Sequence, residues 1–293
     1  MTTVHEQWDI VSSVGLTALG VAAARAVEND RPDALVRDPM AARFVAAAAD
    51  APTAMPTGRA APGADTPMWR TMADFLGVRS RFLDDVVSGA VGSGIDQVVL
   101  LAAGLDVRAQ RLDGLEGCSV YEVDQPTVLA FKDEVLDEAG AVARCDRVEV
   151  ATDLRDDWAG ALAAAGHDAG RPTVWLAEGL LPYLPAAAEA QLFATISALS
   201  APGSRVGVEF VHDIDGLLRS DLMTSSSAAF GVDMGTLWSR EPRRPADEVL
   251  RDAGWTTASE SIEEAAARFG RDLDADAVGS VGRHGHLLEG RRA

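Results

Sequence analysis

The chain has 293 residues and a formal net charge of −19, and 47% of its residues are hydrophobic. This length suits one large α/β domain, or one domain with additions, and it allows a substantial core. The acidic balance provides no basic surface for phosphates, which argues against a nucleic acid or an anionic membrane as a partner.

Two further features concern the cellular compartment. Cys118 and Cys145 lie in no metal or redox spacing, and two thiols in a chain of this length fit a reducing cytosol. The start of the chain, MTTVHEQWDI, contains no basic segment typical of a secretory signal, and no stretch approaches the roughly eighteen uninterrupted apolar residues of a membrane span. We therefore expect a soluble, cytoplasmic protein.

The N-terminal third predicts helices before any strand. Val11–Glu28 is rich in alanine and has apolar residues at helical spacing. A second helix is predicted over Asp38–Ala49, which opens with an N-cap residue and a proline. Asp50–Pro67 contains four prolines and is interpreted as a disordered segment or a mobile flap. Met68–Val91 resumes as a helix.

Two arginines, Arg79 and Arg81, lie on that third helix shortly before the first predicted strand. Side chains two residues apart on a helix point in nearly opposite directions, so at most one of the two can face a cleft at the end of the sheet. The other is expected to be a surface charge.

The first strand and the turn after it carry the strongest signal. Val98–Ala102 is a continuous apolar run, typical of a strand buried on both faces of a parallel sheet. Gly104 permits a sharp turn and the close approach of a ligand, and a helix to about Leu112 follows. A second strand, Cys118–Val123, then leads to Asp124. An acid at this place accepts hydrogen bonds from ribose hydroxyls in nucleotide-binding α/β folds.

The number of glycines in this turn separates two classes of cofactor. A dinucleotide site needs G-x-G-x-x-G to hold a pyrophosphate, but the turn reads AAGLDV, Ala102–Val107. One glycine followed by Asp106 suits a cofactor with an amino group and no phosphate, of which S-adenosylmethionine is the common example. An ordinary tight turn remains an alternative reading. So do a nicotinamide oxidoreductase and a binding protein that keeps the cofactor site without turnover.

Strands and helices then alternate, as in a parallel sheet. The third strand leads to Asp153 and Leu154, a polar and apolar pair that can bind and pack on an adenine, although Asp153 also fits a helix N-cap. The fourth strand ends at Glu178, outside the carboxyl edge of the sheet, where open α/β sheets bind ligands. The predicted elements are helix Gln125–Ala139, strand Arg147–Ala151, helix Leu154–Ala165, strand Thr173–Ala177, helix Glu189–Ser200 and strand Arg205–Val211.

The chain after the fifth strand is less regular. Ile214–Arg244 has a serine run, scattered glycines and a basic end, and it is interpreted as an insertion that could close over a substrate. Asp247–Ala253 predicts a helix, and Trp255–Ala258 and Val281–Leu288 predict the last strands. With no internal repeat or linker, we expect one domain made of a helical N-terminal cover (1–95), a cofactor-binding core (96–212), the insertion (213–245) and C-terminal strands and a helix (246–293).

Seven stretches together resemble the S-adenosylmethionine-dependent methyltransferases of the leucine carboxyl methyltransferase family, in particular its actinobacterial branch and the polyketide carboxyl O-methyltransferases. The stretches are SVGLTALGVAAARAVE (Ser13–Glu28), RDPMAARF (Arg37–Phe44), RSRFLDD (Arg79–Asp85), VVLLAAGLDVRAQRL (Val98–Leu112), YEVDQP (Tyr121–Pro126), ATDLRDDW (Ala151–Trp158) and WLAEGLLPYLP (Trp175–Pro185). They occur in the family's order. The turn departs from the family at Ala103, where a serine or a second glycine is common.

The resemblance implies an α/β, Rossmann-like class I methyltransferase fold, with a seven-stranded, mostly parallel sheet that ends in an antiparallel hairpin. It also implies that an arginine of the RSRFLDD helix, preferably Arg79, binds the methionine carboxylate, that Asp124 binds the ribose and that Glu178 binds the amino group. The implied cofactor-binding set is Arg79, Arg81, Ala103, Gly104, Asp106, Asp124, Gln125, Asp153, Leu154, Glu178 and Gly179.

The methyl acceptor is the least specified part of the site. A carboxylate is already ionised at neutral pH and needs no general base, whereas a phenol or an alcohol would use one. His212 is the candidate base, and Tyr183 could line the acceptor pocket. Arg240, Arg243 and Arg244 suit an anionic acceptor. We therefore predict methyl transfer to oxygen on a carboxylate or acidic hydroxyl of a small metabolite, without a metal ion, and we leave the oligomeric state open.

Overall fold

A single sheet of seven strands organises the molecule, of which the computed structural model describes residues 14–48, 50–274 and 277–293. The strands are β1 (Gln97–Leu101), β2 (Ser119–Asp124), β3 (Asp146–Ala151), β4 (Thr173–Ala177), β5 (Arg205–Val211), β6 (Trp255–Ser261) and β7 (Gly285–Arg292). Their order across the sheet is β3-β2-β1-β4-β5-β7-β6. The first five run parallel, and β7 lies antiparallel between β5 and β6. The predicted mostly parallel sheet with a final antiparallel hairpin is confirmed.

The helices lie on both faces of this sheet and over its edge. They are α1 (Val14–Asn29), α2 (Ala41–Ala47), α3 (Pro67–Val91), α4 (Arg108–Arg111), α5 (Pro126–Glu138), α6 (Trp158–Ala164), α7 (Ala186–Ala198), α8 (Ile214–Leu218), α9 (Asp221–Phe230), α10 (Met234–Leu237), α11 (Ala246–Asp252) and α12 (Ile262–Arg268). A 3-10 turn, Leu181–Tyr183, follows β4, and a π-helical turn, Val278–Gly282, precedes β7.

The helices on both faces of the sheet explain the continuous apolar run of β1. Val98 and Leu100 pack into the core cluster that contains α3, whereas Val99 and Leu101 pack into the cluster on the opposite face. Alternate residues of a strand point to opposite faces, so a strand with helices on both sides must be apolar throughout. All five residues of β1 are buried, and so are all five of β4.

Three helices precede β1 in the described part of the chain, as the sequence predicts. The side chain of Thr66 accepts a hydrogen bond from the Trp69 amide, and Pro67 occupies the first turn, so α3 begins with both of its expected signals. α1 packs along α3 and forms the cover. Residues 11–13 and Ala49, which the predicted helices include, lie outside the described residues.

The proline-rich segment 50–67 consists of consecutive turns up to the first residue of α3. It is attached to the cover at two points. Ala64 is buried against Val27 and Ala73, and Asp30 Oδ2 accepts a hydrogen bond from the Arg59 amide at 2.9 Å. The segment therefore packs against α1 and α3.

Three predicted boundaries differ from the structure for local reasons. The helix after the Gly104 turn is reduced to the single turn α4. Helix α6 begins at Trp158 rather than Leu154 because Asp157, and not Asp153, caps it by accepting from the Gly160 amide. The last strand begins at Gly285 because the π-helical turn occupies the residues just before it.

The insertion contains helices α8, α9 and α10. Each begins at a side-chain cap, namely Asp213, Ser220 and Asp233. Among the residues that the structure describes, no helix is both long enough and apolar enough to cross a membrane.

Candidate cofactor and acceptor site

A cavity of about 760 Å³ lies at the carboxyl ends of the parallel strands, between the sheet edge, α1, α3 and the insertion. This volume is within the range of roughly 300–1,000 Å³ that is typical of small-molecule sites. Its lining divides by charge. The charged wall is formed by nine ionisable side chains, Arg25, Arg79, Asp106, Arg108, Asp124, Asp153, Arg155, Glu178 and Glu209. The uncharged wall is formed by the lining residues within 15–21, 72–76, 182–188 and 217–238.

Asp124 supports the turn that follows β1. Its Oδ2 accepts a hydrogen bond from the Gly104 amide at 2.6 Å, and its Oδ1 accepts one from the Gln125 amide at 2.7 Å. Gly104 has a φ of +50°, and so does Ala102, which is unusual for a residue with a Cβ. Burial raises the pKa of Asp124, although the two amides act in the opposite direction. Each carboxylate oxygen can accept a further hydrogen bond, and Asp124 lines the cavity.

Glu178 is the centre of a buried ionic network. It accepts hydrogen bonds from Arg25 at 2.8 Å, from Arg79 at 3.0 Å and from Arg108 at 2.8 Å. Burial alone would raise the pKa of Glu178, but the three guanidiniums outweigh it and hold that pKa well below its ordinary value. Glu178 is therefore a carboxylate at neutral pH.

Glu209 extends the network from the middle of β5. Its Oε2 accepts from Arg79 at 2.9 Å and from the Gly179 amide at 2.8 Å. Burial raises the pKa of Glu209 despite the neighbouring Arg79. The guanidinium of Arg79 thus lies between two carboxylates.

Two guanidinium nitrogens in this network have no protein partner among the described residues. They are Nε of Arg25 and Nη2 of Arg108, both buried and both on residues that line the cavity. Buried polar groups in native structures are nearly always paired, so these donors fit a carboxylate supplied by a ligand. The methionine portion of S-adenosylmethionine carries such a carboxylate, together with an ammonium group that suits Glu178.

The opposite end of the charged wall lies after β2 and β3. Gln125 donates to Asp153 Oδ2 at 2.9 Å, and the Arg155 amide donates to Asp153 Oδ1 at 2.8 Å. Leu154 lines the cavity beside them. Asp153 and Leu154 are therefore placed as the sequence predicts, at the edge of the cavity.

Arg79 and Arg81 separate as the helical spacing requires. Arg79 is 5% exposed and lines the cavity. Arg81 is exposed, pairs with Asp85 at 2.9 Å and lies over the Phe269 ring at 5.4 Å. The inclusion of Arg81 in the predicted site is therefore corrected, because its side chain leaves the opposite face of α3.

His212 does not line the cavity, which corrects its prediction as a general base. Its ring packs against Phe210 at 4.9 Å and against His286 at 4.3 Å. Residues of a strand alternate between faces, so Glu209 and Val211 point into the cavity while Phe210 and His212 point away from it. Tyr183 does line the cavity, and its hydroxyl donates to Thr17 Oγ1 at 3.0 Å. Burial raises the pKa of Tyr183, so its phenol is neutral.

Residues of the insertion between 217 and 238 line the cavity, but its arginines do not. Arg240 pairs with Asp215 at 2.9 Å, Arg243 pairs with Glu189 at 2.6 Å, and Arg244 pairs with Asp252 at 2.8 Å. None of the three arginines lines the cavity, and their partner carboxylates lie on α8, α7 and α11. These arginines are therefore not placed to bind an anionic acceptor inside the cavity.

Sequence reasoning did not select Arg25, Arg108 or Glu209. A signal exists for two of them, because Arg25 interrupts an alanine-rich helix and Glu209 interrupts an apolar strand. A charged residue inside an apolar pattern is buried with a partner or has a function. Their partners lie more than a hundred residues away along the chain, so spacing gives no indication of them.

The sheet order and the cavity at its carboxyl edge define a Rossmann-like class I methyltransferase fold. A crystal structure of a protein named as a methyltransferase from Thermobifida fusca shares this fold, with a TM-score of 0.54 and 18% identity, covering 86% of this chain and 94% of that chain. A protein from Streptomyces avermitilis has a TM-score of 0.53 at 12% identity, covering 77% of this chain and 87% of its own.

The chain belongs to the leucine carboxyl methyltransferase family, whose sequence model matches residues 18–197. A relative in Saccharopolyspora erythraea is 45% identical over 288 residues, which cover 98% of this chain and 99% of the relative. Another in Streptomyces coelicolor is 49% identical, covering 89% and 88%. Both are named as S-adenosyl-L-methionine-dependent methyltransferases. Of the three classes left open by the sequence, the protein is the methyltransferase, with S-adenosylmethionine as its cofactor.

Proposed function

We propose that this enzyme transfers a methyl group to an oxygen of a small-molecule carboxylate or acidic hydroxyl. The observation that carries the proposal is the composition of the uncharged wall, where the described lining residues include no histidine, lysine, aspartate or glutamate. An acceptor that must lose a proton finds no base on that side. A carboxylate or an acidic hydroxyl arrives ionised and needs none.

The charged wall is proposed to hold the cofactor. Arg25 and Arg108 would bind the methionine carboxylate through their unpartnered nitrogens, and Glu178 would bind the ammonium group. Asp124 would accept from the ribose hydroxyls below the Ala103–Gly104 turn, and Gln125, Asp153 and Leu154 would surround the adenine. Arg79 would position Glu178 through their hydrogen bond at 3.0 Å.

The charge of this wall supports the assignment. Its nine ionisable groups comprise four guanidiniums and five carboxylates, a formal excess of one negative charge. S-adenosylmethionine carries one carboxylate, one ammonium and one sulfonium, a formal excess of one positive charge. The wall and the cofactor therefore neutralise each other inside a site of low dielectric constant, where an unbalanced charge is costly.

When bound, S-adenosylmethionine supplies an electrophilic methyl group to the acceptor oxygen. The protein positions the cofactor and the acceptor and encloses them. Holding two reactants in line can account for roughly 7–11 kcal/mol of a barrier. The uncharged wall excludes water from the acceptor, and the neutral hydroxyl of Tyr183 lines this space.

The proposal is tested with a panel of carboxylic acids, phenols and alcohols, incubated with S-adenosylmethionine and analysed by mass spectrometry for methyl esters and ethers. We expect products from carboxylates or acidic hydroxyls, and a rate that is flat between pH 6 and pH 9. Methylation of nitrogen or carbon, or of unactivated alcohols alone, would overturn the proposal. His212→Ala should change the rate less than tenfold, since loss of a general base costs roughly 10²–10⁴-fold.

A cytoplasmic location is also proposed. Both cysteines are free thiols in the structure, as expected in a reducing compartment.

A further inference from the structure

We propose that the acceptor has an apolar alkyl or aryl body and, apart from its reacting oxygen, one hydrogen-bonding group that meets the hydroxyl of Ser226. This inference rests on the proposed function and names the substrate class of the same site. It comes from helix α9 of the insertion and from the side chains that face it across the cavity.

Helix α9 presents one fixed face to the cavity. Its buried residues are Leu222, Met223, Ser226 and Phe230, which recur at helical spacing. Ser220 caps its first turn by accepting from the Met223 amide at 3.3 Å, and the helix ends at a glycine with a φ of +70°. The two ends of the helix are therefore defined by local signals.

Phe230 is seated by a specific fit against the cover. A Cβ added at Gly20 of α1 would lie 2.5 Å from the Phe230 ring, so only glycine leaves room for the ring at that position. The ring also lies 5.8 Å from the Trp69 ring of α3. Helix α9 therefore packs against α1 and α3 of the cover, next to the cavity.

Ser226 is the exception on this apolar face. It is 2% exposed and lines the cavity, and its Oγ has no hydrogen-bond partner in the described part of the chain. A helical serine can donate to the carbonyl four residues earlier, but this one does not. The next residue, Ser227, accepts from the Met234 amide at 3.3 Å. A buried hydroxyl without a partner is destabilising unless a ligand or a water supplies one.

The rest of the uncharged wall selects for an apolar body. It includes the rings of Phe75, Phe230 and Trp238 and the thioethers of Met72 and Met223. Thioethers adapt to apolar ligands of different shape. A sugar or a polycarboxylate would lose more hydration here than the few hydroxyls of this wall and Nε1 of Trp238 could replace, because the arginines of the insertion do not line the cavity. A single acidic group beside a hydrocarbon or aromatic body fits the wall.

The test measures binding of defined acids to the complex with S-adenosylhomocysteine, by calorimetry and without turnover. The probes are 2-naphthoate, decanoate and succinate. We expect 2-naphthoate or decanoate to bind at least tenfold more tightly than succinate. Equal or tighter binding of succinate would overturn the apolar assignment.

The role of Ser226 is tested with 6-hydroxy-2-naphthoate and 2-naphthoate on matched variants. Ser226→Ala should weaken the binding of 6-hydroxy-2-naphthoate at least threefold more than the binding of 2-naphthoate. The control Ser225→Ala, on the exposed side of the same helix, should leave both unchanged. An equal effect of Ser226→Ala on the binding of both probes would overturn the proposed hydrogen bond between the ligand and Ser226.

Failure of this inference and failure of the proposed function give different results. Apolar acids that bind but yield no methyl ester or ether would contradict O-methylation and leave the substrate class standing. Methyl esters formed from polar acids, with no binding of the apolar probes, would contradict the substrate class and leave O-methylation standing.

Discussion

The two walls of the cavity hold their side chains by different means. In the charged wall Asp124, Asp153 and Glu178 lie at or just after the ends of β2, β3 and β4, and Glu178 alone accepts from three arginines. The uncharged wall is built from α1, α3 and the insertion, and the contacts of α9 with those helices are between apolar groups. Electrostatic pairs require defined geometry, whereas apolar packing tolerates volume-conserving exchange. The cofactor side is thus the part that a family can share, and the acceptor side is the part that can diverge.

The largest expected effect follows from removing the centre of the charged wall. Glu178→Gln leaves three guanidiniums facing one another without their shared carboxylate. We expect the free energy of unfolding to fall by about 3–5 kcal/mol, as for other broken buried pairs. The control is Asp85→Asn, whose exposed pair with Arg81 should be worth about 0–1 kcal/mol. Urea unfolding of the cofactor-free protein measures both changes, and equal losses would show that the buried network of Glu178 stabilises the fold no more than an exposed pair does.

The same variant predicts a pH dependence. The folded-state pKa of Glu178 is lowered from its ordinary value of 4.5, so its contribution to stability is present above pH 4.5 and is lost as the pH falls below it. The variant lacks this titration. The difference in unfolding free energy between wild type and Glu178→Gln should therefore narrow as the pH falls from 7 towards 3. A gap that stays constant or widens in acid would contradict the ionised state of Glu178.

The second prediction concerns the ribose end of the charged wall. Asp124→Ala removes an acceptor that holds the Gly104 turn and is proposed to bind the ribose. We expect a loss of about 1.5–3 kcal/mol in the binding of S-adenosylhomocysteine, measured by titration calorimetry. Leu222→Ala, in the uncharged wall, should leave this affinity unchanged. Unchanged affinity of the Asp124 variant would show that the strand end has been misassigned.

The third prediction compares two arginines of one helix. Arg79→Ala should weaken cofactor binding at least tenfold, about 1.4 kcal/mol, because Glu178 loses the guanidinium that orients it. Arg81→Ala should be nearly silent, since its partner Asp85 is also at the surface. Equal losses from the two variants in the same titration would contradict the single cavity-facing side of α3.

The smallest effect is expected at the turn itself. Ala102 has a φ of +50°, which costs a residue with a Cβ roughly 1–2 kcal/mol. Ala102→Gly should raise the free energy of unfolding by about 0.5–1 kcal/mol after the extra entropy of glycine is subtracted. The neighbouring Ala103→Gly has no such strain to relieve and should lower it by a similar amount. Thermal unfolding of both variants gives the sign of each change in the free energy of unfolding. Destabilisation by Ala102→Gly would contradict backbone strain at Ala102.

The central strands were predictable because they are buried on both faces. Thr173–Ala177 and Arg205–Val211 occur with the predicted bounds, since their mainly apolar runs end where the chain leaves the core. The predicted helix ends were less accurate, because a single capping side chain decides where a helix begins. Asp157, and not Asp153, begins α6 because its side chain reaches the Gly160 amide.

The site was predictable where it follows the strand ends and unpredictable where it depends on contacts between distant segments. Asp124 and Glu178 lie at the cavity because parallel strands end at one edge. Arg25 reaches Glu178 across 153 positions of sequence, and no spacing rule reports such a contact. The face of His212 follows from strand alternation, which could have been applied once Glu209 was recognised as a buried acid.

The position of β7 has a consequence for synthesis. This strand, Gly285–Arg292, is inserted between β5 and β6, so an interior position of the sheet is filled by the last strand to be made. Until residue 292 has left the ribosome, β5 and β6 each present an unpaired edge, and such edges are where nascent chains associate wrongly. The edge of β5 therefore stays open while residues 212–292 are synthesised, and the sheet closes only when the eight residues of β7 dock.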